Sequence, residues 1–391
     1  MRSRLPRNVL LLGLVSLFTD AASEMVFPFL PFFLTGVLLA SPATVGWIEG
    51  LADALSSLLK LFAGRLADRL GRNKPLVLAG YTLSSAARPL VGLAASPFHV
   101  LVVRLLDRTG KGLRSSPRDA IIAASTPAER HGTAFGFHRA MDHTGAALGP
   151  VLALLVFATL TTDLRALFLL AAIPGAVSVL VLLAVREPPP APAVPALEAP
   201  ATPSWTRPPR SLRSYLLAVG AMALGRPNEA LLLPALGADR VSLEAVPVLW
   251  LGLHVVKVVF SLLGGRLADA WGHRALVAIG WAVHALVFVG LAWVDSRELA
   301  FALFLAWGIA PGLSEGAEKA LVGARADPGG RATAFGWYHL VVGLGTLPAS
   351  VMFGTLWQVS GAPVAYAAGA VAAALGLGLL AFAGPQLGDR R

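Results

Sequence analysis

The chain has no cysteine, which excludes disulfides and thiolate metal sites. Charge is scarce as well. Of the 391 residues, 14% are charged and 56% hydrophobic, and the mean hydropathy is +0.69. A soluble protein of this length needs a polar surface that such a composition cannot supply. Sustained apolar/polar alternation is missing, which excludes a membrane barrel. No Gly-rich P-loop occurs, so coupling to ATP hydrolysis is not expected. No His/Asp/Glu grouping has a metal-ligand spacing, so neither metal nor cofactor is expected. A clear cleavage site is also missing. The start, "MRSRLPRNVLLLGLVSLFTD", resembles a signal peptide, but its apolar run continues through Asp20 and Glu24 into "FPFLPFF". It reads as a retained first helix.

What is present is a series of long apolar runs. A crossing of the hydrocarbon core needs about 20 such residues. Twelve runs qualify, at roughly 9–38, 43–66, 75–95, 98–122, 132–158, 165–185, 212–236, 245–268, 275–294, 298–322, 332–357 and 362–384. Irregular backbone cannot face lipid, so they are expected to be helices, and the fold an all-α membrane protein with twelve transmembrane helices.

The net charge of +10 is explained by position rather than by nucleic acid. Arg2, Arg4 and Arg7 precede span 1, and Arg65, Arg69, Arg72 and Lys74 lie between spans 2 and 3. Arg130 precedes span 5, and Arg186, Arg207, Arg210 and Arg213 flank the central segment. Arg266 and Arg274 lie between spans 8 and 9, Arg325 and Arg331 between 10 and 11, and Arg390 and Arg391 end the chain. The alternate loops, such as "ASPAT", "AASPFH" and "SGAP", carry no Lys or Arg; Arg240 and Arg297 are single residues beside acids. This positive-inside pattern predicts a multi-pass protein of the plasma (inner) membrane with both termini cytoplasmic.

Residues 186–211, "REPPPAPAVPALEAPATPSWTRPPRS", interrupt the apolar pattern. Proline at this density favours an extended linker. Three domains are expected: a six-helix bundle over 1–185, a cytoplasmic linker over 186–211 and a second six-helix bundle over 212–391. The halves are related. "TAFG" occurs at 133–136 and at 333–336, and at the same offset "KGLRSSPRDA" (111–120) lies over "PGLSEGAEKA" (311–320). "GRLADRLGR" (64–72) returns as "GRLADAWGHR" (265–274). Repeats of this order place a site between two bundles in transporters.

The stretch Gly64-Arg65-Leu66-Ala67-Asp68-Arg69-Leu70-Gly71-Arg72 resembles the loop 2–3 motif of the major facilitator superfamily, G-x-L-a-D-r-x-G-r. With its second copy and the 6+6 layout, the resemblance covers essentially the whole chain. It implies two pseudo-symmetric six-helix bundles and a cytoplasmic gate formed by Gly64, Asp68, Arg69, Gly71, Arg72 and Asp269. Gly64 permits close helix approach, and Asp68 can accept hydrogen bonds from a neighbouring helix N-terminus or pair with a base. In the second copy Ala270 replaces Arg69 and His273 is inserted before Arg274, so a weaker gate contact is expected there. Gly145-Ala-Ala-Leu-Gly149-Pro150 is similar to the helix 5 packing motif of superfamily antiporters, with Ala153 and Leu154 in place of its last glycines. Arg104 loosely resembles the arginine of their helix 4 motif. Asp20 with Pro28 and Pro31 is similar to helix 1 of drug:proton antiporters.

Many charges fall inside the spans. Each would cost about 2.5–3.5 kcal/mol at mid-helix facing lipid, so they must face a wet cavity, a partner or the interface. Asp20 and Glu24 share one helix face and suit proton coupling; a structural ion pair with a base of span 4 or 5 is the other reading. Arg139, Asp142 and His143 stand close together on span 5 and suit substrate or proton contact or internal pairing. Glu315, Glu318 and Lys319 form a group in span 10, where a local Glu315–Lys319 pair is expected. His339, and His254 with Lys257, are further cavity candidates.

The expected function is secondary active transport of a small organic solute by alternating access, as a proton-coupled exporter of drugs or metabolites. The alternative is a transporter of an anionic metabolite bound by Arg88, Arg104, Arg139 and Lys257. A non-transporting receptor on the same fold is a third possibility. The expected partners are the solute, protons and the lipid bilayer, with no nucleic acid, and the chain is expected to be a monomer and not an enzyme.

Overall fold

The computed structural model describes residues 5–189, 208, 212–232, 234–236 and 245–382. Most of the proline-rich segment lies outside the described residues, as do Arg2, Arg4, Arg207, Arg210, Arg240, Arg390 and Arg391. Among the described residues all regular structure is helical. The principal helices are α1 (Arg7–Glu24), α2 (Pro42–Leu70), α3 (Lys74–Ala87), α4 (Pro97–Ala124), α5 (His131–Thr159) and α6 (Leu164–Leu183). They continue with α7 (Arg213–Leu224), α8 (Ala245–Trp271), α9 (His273–Trp293), α10 (Arg297–Arg325), α11 (Arg331–Ser360) and α12 (Ala362–Phe382).

Local chemistry sets the ends. Ser41 accepts from the Thr44 N–H at 3.2 Å and Ser96 from the His99 N–H at 3.3 Å, each followed by proline at the first helical position. A serine cap and a proline whose missing N–H costs nothing there start α2 and α4. Gly71, at φ +62°, closes α2 in the left-handed conformation glycine adopts freely.

Several expected spans leave α-helical geometry part-way, the first and the seventh among them. The first leaves α-helical geometry after Glu24, passes through a 3₁₀ turn at Phe27–Phe29 and ends in a π-turn at Phe33–Val37. Pro28 and Pro31 remove N–H donors there. The seventh stops at Leu224, three residues before Pro227, and goes on as 3₁₀ turns at Glu229–Leu231 and Pro234–Leu236.

Nine helices among the described residues are long and apolar enough to cross a membrane. The runs counted as spans 2 and 4 lie outside those nine because α2 and α4 carry many ionised side chains; α7 is too short. Ion pairs between α2 and α4 replace apolar character, as the site below shows.

The chain forms two compact units. The first comprises Met1–Thr126, Met141–Pro203 and Asp327–Gly336; the second comprises Pro127–Ala140, Ser204–Ala326 and Trp337–Arg391. In the first, α4 packs on α2 and α3, and α6 packs on α1 and α3. In the second, α10 packs on α8 and α9, and α12 packs on α7 and α9. The same four pairings thus recur in chain order, as a duplication requires. The first core gathers Met25, Val26, Leu30, Phe33, Leu167 and Phe168. The second gathers Leu253, Phe288, Phe304, Trp307, Phe353 and Tyr366, with Phe288 and Phe353 edge-on to Tyr366 at 5.3 and 5.2 Å. Large apolar side chains such as Leu58, Leu180, Val248, Leu286 and Val371 are exposed, which suits a lipid surround and not water.

Candidate functional site

In the first unit α1 and α5 approach closely. A Cβ added at Gly149 would lie 2.8 Å from the Ala21 carbonyl oxygen, and one at Gly145 would lie 3.0 Å from the Asp20 Cβ. Glycine at these two positions, with Pro150 next in line, lets the helices meet at their backbones and fixes the seam at Asp20 and Glu24. Replacing Gly149 by leucine is expected to lower the midpoint of thermal unfolding, because overpacking costs about 1–3 kcal/mol or more. Gly50→Leu, where an added Cβ meets nothing within 4 Å, is the control. Equal midpoints for the two variants in one detergent would contradict the close-contact account.

Beside that seam lies a cavity of about 90 Å³. Asp20, Glu24 and Phe27 line it from one side, and Asp107, Arg108, Lys111 and Arg114 of α4 from another. Arg88 and Ser23 complete the wall. At about 30 Å³ per water it holds roughly three waters. Asp142 and His143 are buried, and Asp142, Lys111, Arg114 and Arg118 lie within electrostatic reach of Asp20.

The wall is braced by ion pairs. Arg88 bonds Asp107 at 3.0 Å, and Arg104 bonds Glu49 and, at 3.3 Å, Asp107. Arg108 bonds Asp53 at 3.0 Å. The Phe27 ring centroid lies 4.0 Å from the Arg104 guanidinium carbon and 5.0 Å from that of Arg108, close enough for cation–π attraction. Arg118 bonds Asp119 at 3.0 Å and reaches Ser16 and Tyr81 at 3.3 and 3.4 Å. Arg104, a candidate for substrate or proton contact, therefore sits behind the cavity in this bracing network, almost wholly buried. Besides Asp107, Arg108, Lys111 and Arg114 of α4, sequence reading left the acids Glu49 and Asp53 and the ring of Phe27 out of the site. The signal for the two acids was their shared helix face; for Phe27 there was none.

The second unit gathers its own polar cluster. Arg139 of α5 pairs with Glu315 of α10. Glu315 is thus met from outside its own helix, a partner that the local Glu315–Lys319 spacing did not offer. Arg139 belongs to this unit, whereas Asp142 and His143, grouped with it by sequence, belong to the first. Glu318 accepts from Trp281 Nε1–H and Tyr338 O–H, both at 2.7 Å, and from Arg226 at 3.3 Å. Lys257 pairs with Glu229 and lies 5.1 Å from the Trp307 ring centroid. His284 accepts from Trp307 Nε1–H at 3.1 Å through Nδ1, so its Nε2–H donates to the Gly225 carbonyl at 3.0 Å. That assignment fixes one neutral tautomer. His339 lies next to Tyr338, ring centroids 5.3 Å apart. His254 shares a 2.9 Å hydrogen bond with the Trp250 carbonyl.

The duplicated loop carboxylates have matching positions. Asp68 accepts from the N–H groups of Ala332 at 3.1 Å and Thr333 at 2.7 Å, in the first turn of α11. Asp269 accepts from Gly132 at 2.7 Å and Thr133 at 2.8 Å, in the first turn of α5, and also from the Thr133 hydroxyl. Carboxylates at helix N-termini satisfy otherwise orphaned donors and meet the positive end of the dipole. Glycine again permits the approach: a Cβ at Gly265 would lie 2.6 Å from the Gly132 carbonyl oxygen, and one at Gly64 would strike the backbone of Ala332. Asp269 also accepts from the Thr133 hydroxyl, and His273 Nε2 stands 3.5 Å away. The Ala270 change does not touch the accepting oxygens. Arg69, Gly71 and Arg72 are exposed.

Comparison with known proteins gives a consistent family. A family model described as Major Facilitator Superfamily matches residues 12–253. The MFS-type transporter MJ1317 of Methanocaldococcus jannaschii is 33% identical over 372 residues, 91% of this chain and 90% of that protein. The multidrug resistance protein MdtH of Photorhabdus laumondii is 27% identical over 128 residues, 33% of this chain and 32% of that protein. Among solved structures, the human organic anion transporter MFSD10 superposes with a TM-score of 0.81 at 17% identity, covering 96% of this chain and 99% of that one.

Proposed function

The chain belongs to the major facilitator superfamily and is a multi-pass membrane transporter, not an enzyme; on that premise we propose that it exports a small organic solute by alternating access, coupled to protons. In this reading twelve helices cross the inner membrane as two bundles of six, residues 1–185 and 212–391. The proline-rich linker, 186–211, and both termini are cytoplasmic, and the monomer is the working unit.

One observation carries the proposal: Asp20 and Glu24, one turn apart, line a small cavity opposite Arg108, Lys111 and Arg114. Two carboxylates there can trade a proton for a cationic partner as the surroundings change. The cavity's roughly 90 Å³ admits water and protons. An organic solute needs a pocket of about 300–1,000 Å³, so solute entry requires opening. Gly64, Asp68, Arg69, Gly71, Arg72 and Asp269 form the gate in this account. The MdtH likeness, over a third of the chain, supports efflux.

The test uses proteoliposomes with a pH-sensitive dye inside and cationic amphiphiles such as ethidium outside. Asp20→Asn and Glu24→Gln are expected to cut solute-induced proton movement at least tenfold. Unchanged proton movement in both variants would overturn the coupling role.

A second reading has its own observation. The cavity wall carries four cations, Arg88, Arg108, Lys111 and Arg114, against three carboxylates, Asp20, Glu24 and Asp107. That surplus suits an anionic metabolite, bound in bidentate fashion by Arg, and the human structural neighbour is an organic anion transporter. Here Arg108→Gln and Lys111→Gln are expected to weaken thermal stabilisation by benzoate about tenfold in concentration. Stabilisation by ethidium alone would decide for the first reading.

A further inference from the structure

One helical step from the charged cavity of the first unit, three buried side chains meet. Arg118 of α4 donates through Nη1 to the hydroxyl oxygens of Ser16 on α1 and Tyr81 on α3, at 3.3 and 3.4 Å. Its Nε and Nη2 donate to Asp119 at 3.1 and 3.0 Å. Resting on the proton-coupling reading of Asp20 and Glu24, we propose that Arg118 is the barrier that stops protons leaking from that cavity through the first unit to the cytoplasm, and so ties proton movement to solute.

Three features carry this. The first is register. Ser16 stands one turn from Asp20 on α1, Arg118 one turn from Arg114 on α4, and Tyr81 about two turns from Arg88 at the end of α3. Asp20, Arg114 and Arg88 line the cavity, so the three helices leave it in one direction and converge on Arg118. About two turns further on lie their ends at Arg7, Lys74 and Ala124, cytoplasmic in the proposed topology.

The second is burial. Ser16, Tyr81, Arg118 and Asp119 are all buried. A proton passing here has to use side chains, and the Ser16 and Tyr81 oxygens, 3.5 Å apart, offer the hydroxyls for such a relay.

The third is chemistry. A relay group accepts a proton on one side and releases one on the other. A guanidinium has five donors, no acceptor and a permanent charge, so it relays nothing. Its charge also stands against both hydroxyl oxygens, where an excess proton would have to sit. A fixed arginine excludes protons from pores by the same repulsion. Asp119 holds the fork in place, and the Arg114 guanidinium carbon, 4.3 Å from the Tyr81 ring centroid, adds a second cation. Asp20 is within electrostatic reach of Arg118, so the barrier adjoins the carboxylate that takes the proton.

The experiment measures proton leak without solute, in proteoliposomes of the full chain with a pH-sensitive dye inside and an imposed pH gradient. Arg118→Gln is expected to raise the leak at least fivefold over wild type. Arg118→Lys, whose single ammonium cannot hold Asp119 and both hydroxyls together, should leak to an intermediate degree. Adding Asp20→Asn and Glu24→Gln to Arg118→Gln should return the leak to within twofold of wild type, because the route runs through those carboxylates. A bundle that was merely loosened would go on leaking. No rise in either Arg118 variant would overturn the barrier, as would a leak that the carboxylate changes leave in place. Solute-induced proton movement in Asp20→Asn and Glu24→Gln reads the coupling itself. Tight Arg118 variants beside uncoupled carboxylate variants would therefore remove the barrier and leave the coupling standing.

Discussion

Glu318→Ala is expected to destabilise the protein by about 3–5 kcal/mol, the usual cost of leaving a buried charge unpaired. Glu318 is only 1% exposed and accepts hydrogen bonds from Trp281, Tyr338 and Arg226. Alanine would leave two neutral donors without that acceptor and one guanidinium without that counter-charge, in a region where water cannot replace them. Glu318→Gln keeps one accepting oxygen but loses the charge, so it should fall between alanine and wild type. Glu315→Ala should cost less, because its side chain is 20% exposed and water can reach Arg139, itself 23% exposed. The check is the thermal unfolding midpoint in a fixed detergent. A midpoint for Glu318→Ala no lower than that for Glu315→Ala would contradict this assignment of the cluster.

The second large effect is expected at the helix caps. Asp269→Ala removes a side-chain cap, worth about 0.5–2 kcal/mol, and a charge at a helix dipole, worth about 0.3–1 kcal/mol and up to about 2 when partly buried. Together these shift an equilibrium between capped and uncapped states by roughly fourfold to several hundredfold, at about 1.4 kcal/mol per factor of ten. Asp68→Ala should act similarly, and because the two caps share no partner their effects should add. Transport should fall at least tenfold in the double variant, while solute-induced thermal stabilisation changes less than threefold. Equal loss of both would mean that the carboxylates hold the fold and do not time its opening.

Much of this could be read from sequence, for identifiable reasons. Apolar length locates most of the helices because a bilayer imposes a minimum run. At α2 and α4, which were located but fall outside the nine apolar spans, sequence shows Glu49, Asp53, Arg104 and Arg108 but not that they neutralise one another. Pro28 and Pro31 announce a break; the π-turn that follows at Phe33–Val37 depends on packing and gave no signal. The repeat marks Asp68 and Asp269 as related, but which N-termini they cap is a long-range fact, separated by 264 and 137 residues. Arg139 shows the same limit. Its chain neighbours Asp142 and His143 seemed its natural company, yet α5 passes from one unit to the other between residues 140 and 141. Glu318 was visible as a charge in an apolar run, but its donors Trp281 and Tyr338 come from two other helices.

The central claim is that the two aspartate caps open and close while the chain stays folded. The absence of cysteine permits selective spin labelling at introduced cysteines. Labels at exposed Leu70 and Gly329 report on the Asp68 cap, and labels at exposed Glu129 and Ala270 on the Asp269 cap. Double electron–electron resonance in proteoliposomes should give a short and a long distance for each pair, and Asp68→Ala with Asp269→Ala should move most of the population to the long one. A single short distance at both pairs, unmoved by either substitution, would contradict the account.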